Sequence, residues 1–219
     1  MLPPLARPTR RARTTRALAL AALLPACGPK ADSAPRGDPA RYATSSLSYC
    51  WRTPVIATGG IASVRVGGTV SALARNCAAR DTSFTLGEGM SETGVVVSAR
   101  GHALVALTAG DTTGVISRII VTDTVFHTAA GVHVGSTLAA LRDAYGGALC
   151  LMPGEGTVVA RTPRLPGVSF ALDADPAALP AGARTLERGD PSPLPDASRV
   201  TRIWIYEAGL DGAGECGEG

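Results

Sequence analysis

A ten-residue phrase that occurs twice constrains this chain more than any other feature. Residues 64–73 read VRVGGTVSAL, and residues 132–141, 68 positions later, read VHVGSTLAAL. The likeness continues downstream in the same order. Residues 95–97 resemble 158–160, residues 103–107 (ALVAL) resemble 168–172 (VSFAL), and residues 116–123 (ISRIIVTD) resemble 200–207 (VTRIWIYE). Four matches in one order predict a tandem duplication, with one module over residues 48–123 and a second over 124–219.

Each copy of the phrase has a readable local structure. After Thr69, Val70, Leu73, Ala74 and Cys77 fall at i, i+3, i+4 and i+7; after Thr137, Leu138, Leu141 and Tyr145 fall at i, i+3 and i+7. That spacing predicts two short amphipathic helices capped by the threonines or by Ser136, each introduced by a glycine that permits the turn from strand to helix. The later segments are short, β-branched and punctuated by Gly or Pro, as antiparallel strands are. The expected fold class is therefore α+β: a tandem repeat of one helix plus about three antiparallel strands, giving one antiparallel sheet with both short helices on one face. A short strand, V-x-V-G-x-T, a short helix and a meander resemble the repeat of the β-lactamase-inhibitor-protein fold, and are similar to the small lipoprotein of the outer-membrane barrel-assembly machinery. The resemblance implies a module that binds a protein, as an assembly factor or an inhibitor does. In that family the helix commonly ends in Gly, as at Tyr145-Gly146-Gly147; the first copy departs from this with Asn76-Cys77-Ala78-Ala79.

The N-terminus indicates an address. Residues 1–16 carry Arg7, Arg10, Arg11, Arg13 and Arg16 and no acid, and residues 17–24 (ALALAALL) are apolar. This run is roughly half of the ~20 residues a membrane-spanning helix needs, so residues 1–26 are expected to be a signal peptide. Leu24-Pro25-Ala26-Cys27 resembles the lipobox of bacterial lipoproteins. By that resemblance Cys27 is the lipid anchor, acylated on its thiol and first in the mature chain; plain secretory cleavage near Ala26 is the alternative. Gly28, where some lipoproteins carry a retention Asp, favours the outer membrane, with the chain facing the periplasm. Residues 27–47 are rich in Pro, Gly and Ser, and are expected to be a flexible tether.

Charge and cysteines fit an exported protein. The full chain has 21 basic and 18 acidic residues; removing five Arg with the signal leaves 16 minus 18, or −2. Nucleic acid is thereby excluded as a partner class, since no basic cluster with interleaved aromatics remains. Beyond Cys27, the even number Cys50, Cys77, Cys150 and Cys216 suits disulfides in an oxidising compartment. The repeat suggests Cys50–Cys77 and Cys150–Cys216; the rival pairing is Cys77–Cys150 with Cys50–Cys216.

No motif for catalysis, phosphate cradling or zinc hydrolysis occurs, and no catalytic, cofactor or metal residue is expected. The weak candidates are Ser91 and Glu92 near Gly94, Asp123 with His127, the neighbouring His133, and His102. Asp211, Glu215 and Glu218 match no calcium loop. The module offsets jump from 65 to 84 before the last strand, which places an insertion at about residues 174–198, rich in proline and expected to be mobile. Two functions follow as expectations: a non-enzymatic envelope lipoprotein that binds a protein partner through this loop or the sheet face away from the helices, or an envelope hydrolase with an unrecognised active site.

Overall fold

The computed structural model describes residues 50–85, 91–109, 114–146, 149–154, 156–179, 184–186 and 192–209. Its strands are β1 (Val55–Ala57), β2 (Gly60–Ile61), β3 (Val64–Arg65), β4 (Ala78–Thr85), β5 (Ser91–Ala99), β6 (His102–Thr108), β7 (Ile116–Val121), β8 (His127–Thr128), β9 (Leu149–Gly154), β10 (Thr157–Arg161), β11 (Val168–Leu172), β12 (Arg184–Leu186) and β13 (Val200–Ile205). Two α-helices join them, α1 (Val70–Leu73) and α2 (Leu138–Tyr145).

The repeated phrase makes the same corner twice. Gly67 and Gly135 take φ of +79° and +94°, a region open to glycine without steric cost, so the chain can leave extended backbone abruptly. Thr69 and Thr137 then cap their helices, their hydroxyl oxygens accepting from the amides of Ala72 and Ala140 at 3.2 Å. Each corner docks on the start of a strand. Gly67 N–H donates to Ile116 and Gly135 N–H to Val200, while Gly68 and Ser136 accept from the amides of those same strand residues.

The strands form a four-stranded sheet, β3-β2-β1-β8, and a nine-stranded antiparallel sheet, β12-β9-β10-β11-β13-β7-β6-β5-β4. This corrects the expected fold class. The described chain is predominantly β, and its organisation is not a tandem repeat of a helix plus about three strands. Helix α1 has four residues and α2 eight, too few to build a helical layer. The first helix was expected to run to Cys77 but ends at Leu73, because the chain turns there to enter β4. Each corner leads into four antiparallel strands of the large sheet, and the extra strands are β4, which lacks the apolar signature sought, and β9, whose Leu149–Met152 are apolar and buried. β4 is polar and largely exposed, and β9 ends in Pro153-Gly154. Pairing of β7 with β13 fuses the meanders into one sheet, and β1 pairs in parallel with β8 across the expected module boundary.

Alternation along the strands buries one face of the large sheet against both helices. Leu73, Leu138, Leu141 and Tyr145 join Val97, Ile119, Val121, Val158, Phe170, Ile203 and Ile205 in a single buried cluster. Each fully buried large aliphatic side chain there contributes roughly 1.5–3 kcal/mol. Trp51 closes one end, meeting Phe126 edge-on at 5.1 Å and donating its indole N–H to Ala99 O at 3.3 Å.

The described parts of the insertion are tied down. Asp175 caps a 3₁₀ turn at Pro176–Ala178, β12 pairs with β9 at the sheet edge, and Leu179 and Leu194 are buried. Backbone oxygens of Ser198 and Asp196 receive the amides of Leu138 and Ala139, satisfying donors in the first turn of α2.

Candidate functional site

The same alternation sends a second set of side chains to the sheet face opposite the helices. Leu107, Ile120, Met152, Val159, Ala171 and Trp204 form a separate buried cluster there, with Phe84, Val105 and Tyr206 packed at its margin. The registers Val105↔Ile120, Ile120↔Trp204, Trp204↔Ser169 and Ser169↔Arg161 make one continuous row across five strands.

Arginines overlie this row. Arg118, on β7, donates to Glu92 Oε1 at 3.0 Å, and its guanidinium carbon lies 5.3 Å from the Tyr206 ring centre. Arg202, on β13, stands 6.0 Å from the Trp204 ring centre. Arg161 Nε donates to Ser169 Oγ at 2.9 Å, and Arg80, opposite Val96 on the edge strand, is exposed. Long aliphatic stems with charged heads cover apolar surface well, and these arginines lie over a buried cluster that no helix among the described residues covers. Among the described residues this face carries Arg80, Arg118, Arg161 and Arg202 against Glu92, with Asp173 and Asp175 beside Arg202 in the adjoining cleft. Below them the Trp204 indole N–H is buried with no acceptor among the described residues. Leaving such a donor unmet costs about 1–3 kcal/mol.

An open cleft of about 570 Å³ adjoins Arg202 where the insertion begins, lined by Thr157, Leu172, Asp173, Asp175, Pro176 and Thr201 among others. Its polar groups serve the local backbone. Asp173 accepts from Arg199 N–H, Asp175 from Ala177 N–H, Thr157 donates to Leu172 O and Thr201 to Ala171 O.

Of the residues singled out by sequence, Cys50 and Cys77 are bonded, with Cα atoms 5.0 Å apart, which removes the rival pairing. Cys150 is also disulfide-bonded. Cys27, Cys216, Asp211, Glu215 and Glu218 lie outside the described residues. Asp123 does not meet His127. It accepts from His102 Nδ1 at 3.0 Å and from Val125 N–H at 3.0 Å. Burial raises its carboxyl, but the amides of Val125 and Ala103 and the His102 ring outweigh that and hold it below the ordinary value. Glu92 is committed to Arg118, and Ser91 stands exposed at the start of β5. His127 and His133 face each other across an antiparallel bridge. Among the described residues no group of three or more His, Cys, Asp or Glu could hold a metal, and no helix is long and apolar enough to cross a membrane.

Sequence reasoning missed the open-face arginines. Their signal lay in ISRIIVTD and VTRIWIYE, where Arg118 and Arg202 occupy matching positions inside otherwise apolar strands. No family model matches the chain, and no curated protein matches it. It is similar to a solved structure, the uncharacterized protein yfeY from Escherichia coli, at 20% identity over 70% of this chain and 99% of that one, with a TM-score of 0.45. That likeness is too slight to bear on function.

Proposed function

We propose that the chain is a cell-envelope lipoprotein, anchored through Cys27, that acts as a non-enzymatic binding module and grips a protein partner with the open face of its large sheet. The observation that carries this is the composition of that face: arginines standing over Trp204 and Tyr206, in excess over the acids among the described residues. Arg, Trp and Tyr dominate binding energy at protein interfaces. The excess of positive charge selects a partner surface bearing Asp and Glu, whose carboxylates meet the guanidinium forks in paired hydrogen bonds.

Photo-crosslinking in intact cells tests the location. A crosslinker at Arg80 on the open face should capture a partner that one at Asp143, exposed on α2, does not. Equal capture from both positions would contradict the proposal. The anchor has a separate test: a fatty-acid analogue should label the protein, and Cys27→Ala should abolish labelling. Labelling that survives the substitution would rule out Cys27 as the anchor.

A further inference from the structure

We propose that His127 and His133 form a two-histidine site for a divalent transition metal, chosen from Zn(II), Ni(II) and Cu(II). The pair sits on a hairpin that opens with β8. Residues 127 and 133 form an antiparallel bridge, and on the next rung Thr128 N–H donates to Val132 O at 2.8 Å. The two histidines are therefore a non-hydrogen-bonded pair, the kind in which Cα atoms stand about 4.5 Å apart and side chains approach most closely on one face. Phe126, Thr128 and Val132 are buried and both histidines are half-buried, so alternation turns the imidazoles away from the core.

The tautomers are fixed for ligation. His127 Nδ1 lies 3.0 Å from Thr128 O, and His133 Nδ1 lies 2.7 Å from Val134 O. A carbonyl only accepts, so each neutral ring carries its proton on Nδ1 and presents the Nε2 lone pair. Metal-ligating histidines have this arrangement, the second ring nitrogen donating to a carbonyl or carboxylate that orients the ring. The scaffold beneath is rigid. Val132 N–H donates to Thr128 Oγ1, Gly131 N–H to Thr128 O, His127 N–H to Pro54 O and His133 N–H to Ser136 Oγ. Imidazole nitrogens suit zinc, nickel and copper rather than calcium or magnesium. With two protein ligands, the remaining positions fall to water or to a donor from another molecule.

Titration calorimetry of the untagged full chain in detergent with zinc or nickel chloride tests the site. One saturable equivalent is expected. His127→Gln and His133→Gln should each weaken it by about tenfold or more, since loss of even an outer partner of a ligand costs that much. His102→Gln, which alters the histidine engaged by Asp123, should leave it unchanged. Equal affinity in the wild type and both hairpin variants, or no saturable binding by the wild type, would overturn the proposal. Electron paramagnetic resonance of the wild type with one equivalent of Cu(II) gives a readout independent of any variant. Coupling to two imidazole nitrogens is expected, and coupling to fewer would overturn it.

Discussion

Asp123 is the residue whose surroundings act most clearly on its chemistry. Its carboxylate collects two backbone amides and the His102 ring, which together outweigh burial and lower its pKa. A carboxyl lowered in the folded state contributes stability above about pH 4, its ordinary range, and loses that contribution as pH falls through the lower folded value. Asp123→Asn should therefore cost about 1 kcal/mol at pH 7, with the deficit shrinking as acid is added. Urea denaturation at pH 7 and pH 3 measures it, and a constant deficit would contradict the assignment. Gly94 makes a second residue-scale prediction. A Cβ there would collide with Ala106 O and lie 2.9 Å from Leu107 Cα, so Gly94→Ala should destabilise by about 1–3 kcal/mol in the same assay. Neither effect was legible in the sequence. Spacing along the chain suggested Asp123 with His127, whereas the actual partner, His102, arrives from the start of β6.

The corners and six strands of the large sheet, β5, β6, β7, β10, β11 and β13, were legible as elements, and the remaining strands were not. Glycine, threonine and the i, i+3 apolar pattern encode turn, cap and buried face within ten residues, so both helices begin at the threonines read from sequence. Strand β4 has mostly polar side chains at a sheet edge, and β1, β2, β3 and β8 are two or three residues long, so no period could announce them. Cap removal gives the element-scale test. Thr137→Ala should cost about 1 kcal/mol, and Thr137→Ser should recover most of it. The insertion gives another. Because Leu194 is buried and nearby backbone oxygens receive the first amides of α2, Leu194→Ala should cost about 2–5 kcal/mol in thermal or urea unfolding. A neutral result would mean that the insertion packs only loosely on the helix.

At the scale of the whole molecule, one sheet separates two kinds of surface. One face holds the core, the helices and the disulfide end; the other carries arginine and aromatic side chains. Cys50 and Cys77 close a loop over a sequence separation of 27, so replacing both by serine should cost about 3–4 kcal/mol in the chain-entropy model, measurable by urea unfolding. Composition could not disclose the arginine face, because its residues come from strands far apart in sequence and only the register assembles them. Residues 27–219 carry a net charge of 16 minus 18, or −2, so the positive face is a local property and a charge-reversal experiment addresses it directly. With the partner captured from position 80 in hand, the decisive measurement is its affinity for the wild type and for the Arg161→Glu, Arg202→Glu double variant across a series of salt concentrations. Wild-type binding should weaken as salt rises, and the double variant should bind at least about tenfold more weakly at low salt with its fold intact by circular dichroism. Equal affinity of the two proteins, independent of salt, would contradict it.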